Sequence, residues 1–76
     1  MRVEWKEIEE GYYIAEPSKR ILLTARPMAS GYESTVRYCG WRIHIKYTRT
    51  LRSAQQSAAS ALQRLVDDVR GITDAH

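Results

Sequence analysis

Apolar and polar residues alternate most cleanly between Trp41 and Thr48, with Trp41, Ile43, Ile45 and Tyr47 on one parity and Arg42, His44, Lys46 and Thr48 on the other. Successive side chains of a strand point to opposite faces, so this stretch predicts a strand whose apolar set turns to the core. Extended back to about Thr35, the element takes in Val36 and Tyr38, which have the opposite parity to Trp41. Keeping both sets on one face requires a phase shift, supplied either by a β-bulge at Gly40 or by a break there into two strands. Two shorter runs precede it. Gly11 opens Tyr12-Tyr13-Ile14-Ala15-Glu16, which Pro17-Ser18 closes, and Arg20 to Arg26 is stopped by Pro27, with Ala29-Ser30-Gly31 as the next turn. These predict a hairpin whose second strand turns Ile21, Leu23 and Ala25 inward and Arg20, Thr24 and Arg26 outward.

From Leu51 the period changes. Leu51, Ala54, Ala58, Leu62, Leu65 and Val69 recur at steps of three and four, the signature of one helix face, while Ser, Gln, Arg and Asp residues take the other directions. Thr50 or Ser53 can cap the start, and Gly71 after Arg70 marks a stop. The small residues Ala54, Ala58 and Ala61 allow close approach to a sheet. The first ten residues read either as an extended segment or as a helical turn, and the extended form, with Trp5 packed on the core, fits better. The expected fold is therefore α+β, a three-stranded antiparallel sheet backed by one C-terminal amphipathic helix in the order β-β-β-α. It forms one domain over residues 1–76, with the sheet in 12–48, the helix in 51–70 and a tail in 72–76.

Charge changes this picture more than composition does. Net charge is +3 over 76 residues, but residues 1–18 hold Arg2 and Lys6 against five glutamates, a balance of −3. Residues 19–52 hold eight lysines and arginines against Glu33 alone, a balance of +7. That asymmetry points to an anionic partner. The basic residues map to a candidate face made of Arg42, His44 and Lys46, joined by Arg37 or Arg49 at the ends and by Arg20 and Arg26 from the neighbouring strand. Such a face can track phosphates or enter a major groove as a β-ribbon, and Tyr12, Tyr32 and Tyr38 offer stacking surfaces for unpaired bases. Any half-exposed sheet also needs a polar outer face, with Lys and Arg guarding strand edges against aggregation.

Candidate chemistry is sparse. Cys39, His44 and His76 make no metal-ligand set, and a Cys39 thiolate with His44 as its base requires a bulge at Gly40 to bring both to one side. Glu7, Glu9 and Glu10 lie beside a turn, where a solvated acidic edge is expected rather than an acid-base pair. No glycine-rich phosphate loop occurs, and no cofactor is expected. A lone cysteine excludes an internal disulfide, and the charged N-terminus lacks the apolar stretch of a signal peptide, so a soluble, cytosolic protein is expected.

The run Gly40-Trp41-Arg42-Ile43-His44-Ile45, followed by Thr50 and a helix bearing Ala54, Ala58 and Ala59, is similar in outline to plant-type AP2 DNA-binding domains. The resemblance covers about the last half of the chain, lacks the family's tight glycine-aromatic hairpin, and implies a DNA-reading sheet backed by a helix. In size and in its lack of chemistry the chain also resembles small accessory proteins of phages and mobile elements, including anti-CRISPR inhibitors. The expected function is a non-enzymatic binding protein, a monomer or small homo-oligomer, docking on a nucleic-acid-processing complex or its RNA or DNA, for example as an anti-defence inhibitor. The alternatives are a direct DNA-binding regulatory protein and a homo-oligomeric interaction module. Arg20, Arg26, Arg37, Arg42, His44, Lys46 and Arg49 are the candidate contact residues.

Overall fold

A computed structural model of the chain describes the backbone of residues 3–74 and the side chains of residues 3–69. Five antiparallel strands form one sheet in sequence order, β1 (Lys6–Glu9), β2 (Tyr12–Ser18), β3 (Ile21–Met28), β4 (Gly31–Tyr38) and β5 (Trp41–Thr48), followed by α1 (Leu51–Asp74). The α+β class stands, but the expected three strands are corrected to five.

The two extra strands have local causes. Residues expected to be only an extended segment pair as β1 with β2, Lys6 opposite Ile14 and Glu7 opposite Tyr13, and the Gly11 amide donates to Glu7 Oε2 at 3.2 Å across the turn. The stretch 35–48 is two strands because Cys39 and Gly40 both have positive φ, 52° and 85°. That conformation belongs to the two-residue turn whose twist matches a β-hairpin. The Cys39 amide donates to the Arg20 carbonyl at 2.8 Å, tying this turn to the one between β2 and β3. A bulge is present as well, but at Ile43 rather than Gly40: Val36 pairs with His44 and Arg37 with Arg42, leaving one extra residue in β5.

Pro17 and Pro27 lie inside strands rather than in the expected turns. Pro17 falls in the irregular stretch of β2 between Ala15 and Ser18, beyond the reach of β1. Pro27 pairs with Tyr32 beside the Gly11 turn, where β2 has ended, so its missing N–H interrupts no ladder.

The helix-side face of the sheet follows the parity expected for β3. Leu23 and Ala25 are fully buried with Val36 and Ser34 of β4, and Ile21 and Ala15 complete this layer. Against it α1 sets Ala54, Ala58, Ala61 and Leu62, contacting β3, β4 and β5. The alanines permit an approach close enough for the Ser34 hydroxyl to donate to the Ala54 carbonyl at 2.8 Å. Val3 and Trp5 pack on the same cluster, as expected for Trp5, whereas Val69 is left exposed. Thr50 is the cap: its Oγ1 accepts the Ser53 amide at 3.1 Å, an interaction worth about 1 kcal/mol. The helix continues through Gly71 to Asp74 instead of stopping at Arg70. A glycine there is only about 1 kcal/mol worse than alanine. Of the expected tail, Ala75 and His76 lie outside the described residues, as do Met1 and Arg2. Among the described residues, no helix is long and apolar enough to cross a membrane.

Candidate nucleic-acid interface

Strand β5 carries the main correction to the expected site. Trp41, Ile43, Ile45 and Tyr47, expected to face the core, are all exposed, Trp41 by 78% and Tyr47 by 64%. His44, Lys46 and Thr48, expected on the outer face, pair with Val36, Ser34 and Tyr32 and so share the helix side of the sheet. The physical reason is the seat of the helix. Its apolar stripe sits over β3 and β4, and β5, the edge strand, meets the flank of the helix, where Ser53, Gln56, Ser57 and Ser60 stand. The β5 positions that face this flank, His44, Lys46 and Thr48, are accordingly polar.

The expected contact residues divide accordingly. Arg26, Arg37 and Arg42 come together on the open face, around a shallow depression of about 330 Å³ whose floor is Thr24 and Thr35 and whose margin includes Tyr12 and Leu22. The two threonine hydroxyls are hydrogen-bonded to each other. Arg20 stands at the end of this face, lining a neighbouring recess with Lys19 and Arg37. His44 and Lys46 belong to the opposite side of the sheet, and Arg49 is exposed in the link between β5 and α1.

The electrostatics of the open face are uneven. Arg26 lies opposite Glu33, with 3.7 Å between Nη2 and Oε1. Arg37 lies opposite Arg42, and among the described residues neither has a carboxylate within ion-pair distance. Like charges directly opposite on an antiparallel pair are destabilising. Tyr47, opposite Glu33, adds an exposed ring to this face, and Tyr12 a half-buried one. Of the other tyrosines offered as stacking surfaces, Tyr38 packs on the core and Tyr32 is partly buried on the helix side.

Behind the sheet edge, His44, Lys46 and Thr48 from β5 line a polar groove of about 520 Å³. The helix supplies its other wall through Ser53, Gln56, Ser57, Ser60 and Arg64. The sequence pattern places Gln56, Ser57, Ser60 and Arg64 only off the apolar stripe, and Ser53 only as a candidate cap. Their i, i+3, i+4 spacing beside the apolar stripe, matched to the His44, Lys46, Thr48 alternation, was the signal available. His44 Nε2 lies 3.1 Å from Ser57 Oγ. Burial, then Arg64 and Lys46, lower the imidazole below its usual 6.5.

The folded state thus binds fewer protons than the unfolded chain near that pH. The stability contributed by neutral His44 is fully present above about 6.5 and is lost as pH falls through the lowered folded value. Melting temperatures of the wild type and His44→Gln, measured from pH 7.5 to 5.5, should converge or cross on acidification. Parallel curves would show that the ring is not desolvated in this way.

Cys39 is exposed in its turn, not buried, and among the described residues no hydrogen bond joins it to His44. Nor do any three His, Cys, Asp or Glu side chains of those residues cluster as metal ligands. Glu7, Glu9 and Glu10 lie at the far edge of the sheet, where the Tyr13 hydroxyl donates to the Glu7 carboxylate, and that bond with the nearby negative charge raises the phenol above its usual range. The chain matches no family model, no curated protein and no solved structure.

Proposed function

We propose that this is a non-enzymatic nucleic-acid-binding module, working inside the cell, that lays the open face of β3, β4 and β5 against duplex DNA. The observation carrying the reading is the Arg37–Arg42 pair. Two guanidiniums facing each other across a ladder with no counter-charge oppose folding, and a bound phosphate would relieve that repulsion. The β4–β5 ladder that carries this pair is a two-stranded antiparallel ribbon, an element that a major groove of about 12 Å admits. Arg26 and Arg20 extend the cationic track along the strands, and Thr24 and Thr35 set a polar floor between them.

Arg37→Glu separates function from fold, because it sets a carboxylate opposite Arg42. Binding to a labelled duplex, followed by fluorescence anisotropy, should weaken by about 10- to 100-fold, with the salt slope reduced. The melting temperature should hold or rise, since the new opposite-charge pair is worth about 0.2–1 kcal/mol. Unchanged affinity in the variant, or no wild-type binding to duplex at low salt, would overturn the reading. Capture of a nucleic-acid-processing complex without affinity for bare duplex would favour the inhibitor role suggested by the likeness to mobile-element proteins. A homo-oligomeric role has its own support in the free edge of β5 with its exposed Ile43, Ile45 and Tyr47. Light scattering that shows a concentration-dependent dimer mass would favour it.

A further inference from the structure

The groove between β5 and α1 is cationic and hydroxyl-rich, and it lies on the side of the sheet away from the open face. Lys46 approaches it from the strand and Arg64 from the helix, and among the described residues neither has a carboxylate within ion-pair distance. Between them stand the hydroxyls of Ser57 and Ser60 and the His44 imidazole. Two unpaired cations, hydroxyl donors and a ring able to gain a proton form a recess suited to a tetrahedral oxyanion. We infer that this groove binds a phosphate group, held by Lys46 and Arg64 with His44, Ser57 and Ser60 as hydrogen-bond partners. Only the source of that phosphate, the backbone of a bound duplex or a free phosphate, depends on the function proposed above.

The charged groups around His44 fix how binding and protonation couple. Lys46 faces it from β5, and from α1 come Arg64 and, in the adjoining recess, Asp68. Strand β4 sets Val36 opposite His44 and Ser34 opposite Lys46 on this side, with Tyr32 and Tyr38 further along the same face and no charged group. An anion seated between Lys46 and Arg64 offsets the two cations that disfavour imidazolium, so phosphate binding should carry proton uptake at His44 and tighten on acidification.

The test is a titration of the full chain with inorganic phosphate, read from the His44 ring resonances by NMR, for the wild type and for Lys46→Gln with Arg64→Gln. A saturable shift and a raised His44 titration midpoint in the wild type, both lost in the double variant, are the expected result. Both substituted residues border the groove rather than the core, and an unchanged melting temperature confirms that the variant is folded. Absence of a saturable shift in the wild type, or its persistence in the variant, overturns the proposal. Duplex binding of the same variant then assigns the source. A salt slope reduced by about 1.8 identifies two backbone-phosphate contacts, and an unchanged slope identifies free phosphate. Arg37→Glu keeps the two ideas separable, since it should weaken duplex binding by about 10- to 100-fold while leaving the inorganic phosphate shift in place.

Discussion

Replacing Leu62 by alanine is expected to lower the melting temperature by on the order of 15–30 °C, and Leu23→Ala by a similar amount. The reason is how few large side chains the core contains. The largest fully buried ones are Leu23, Leu62, Val36 and a serine, Ser34, and the other buried helix residues, Ala54, Ala58 and Ala61, are all alanines. Alanine methyl groups cannot move to fill a vacated space, so the cavity left by Leu62 stays open. A Leu→Ala change in such a site costs about 3–5 kcal/mol. A chain of this size sits near the lower end of the usual range of about 5–15 kcal/mol total stability. Each kcal/mol moves the melting temperature of so small a domain by about 4–8 °C. Circular dichroism melts of the three proteins check this, and a drop of only a few degrees for Leu62→Ala would mean that the helix does not seat on the sheet as described.

The second large effect is expected at Gly31, the first residue of β4. A Cβ at this position would stand 2.2 Å from the Thr48 carbonyl oxygen, 3.2 Å from its carbon and 3.4 Å from the Arg49 Cα. All three are backbone atoms of the link that delivers the chain from β5 into α1, so no side-chain rotation can relieve the contact. Gly31→Ala should cost about 3 kcal/mol, at the upper end of ordinary overpacking, because backbone must move and φ is also unfavourable at 155°. Gly40→Ala is the matched control. Its φ is 85° and nothing lies within 4 Å of the added methyl group, so only the backbone term of about 1–2 kcal/mol remains. Urea unfolding of both variants should rank Gly31→Ala as clearly the more damaging, and equal midpoints would contradict the close approach.

Much of the architecture could be read from pattern, and the failures share a cause. The period of α1, its start at Thr50 and the inward parity of Ile21, Leu23 and Ala25 all follow from residues whose faces differ strongly in polarity. Strand β5 misled because hydrophobic alternation identifies a buried face only where something apolar covers it. Ile45 and Tyr47 are apolar on a face that is open, and His44 and Lys46 are polar beneath a polar flank of the helix. The decision at Gly40 turned on Cys39, a residue with no marked turn preference that nevertheless adopts positive φ there. Strand β1 was hard to see because its four residues alternate charges around a single exposed isoleucine. Of the candidate contacts, Arg26, Arg37 and Arg42 come together on the open face, whereas His44 and Lys46, expected beside them, lie behind the sheet. The groove depends on which way β5 faces, and that was the step pattern could not supply.

Because each strand pairs only with its neighbour in sequence, and each of the four hairpins closes through two residues, the sheet can grow in step with synthesis from the N-terminus. The helix that covers it is made last. Until residues 51–74 emerge, the nascent chain has a layer of Leu23, Ala25 and Val36 with no cover from α1. The late arrival of the helix makes the half-made protein its most aggregation-prone form. The lysine and arginine of β5 then have a second use, in keeping that intermediate soluble while it waits.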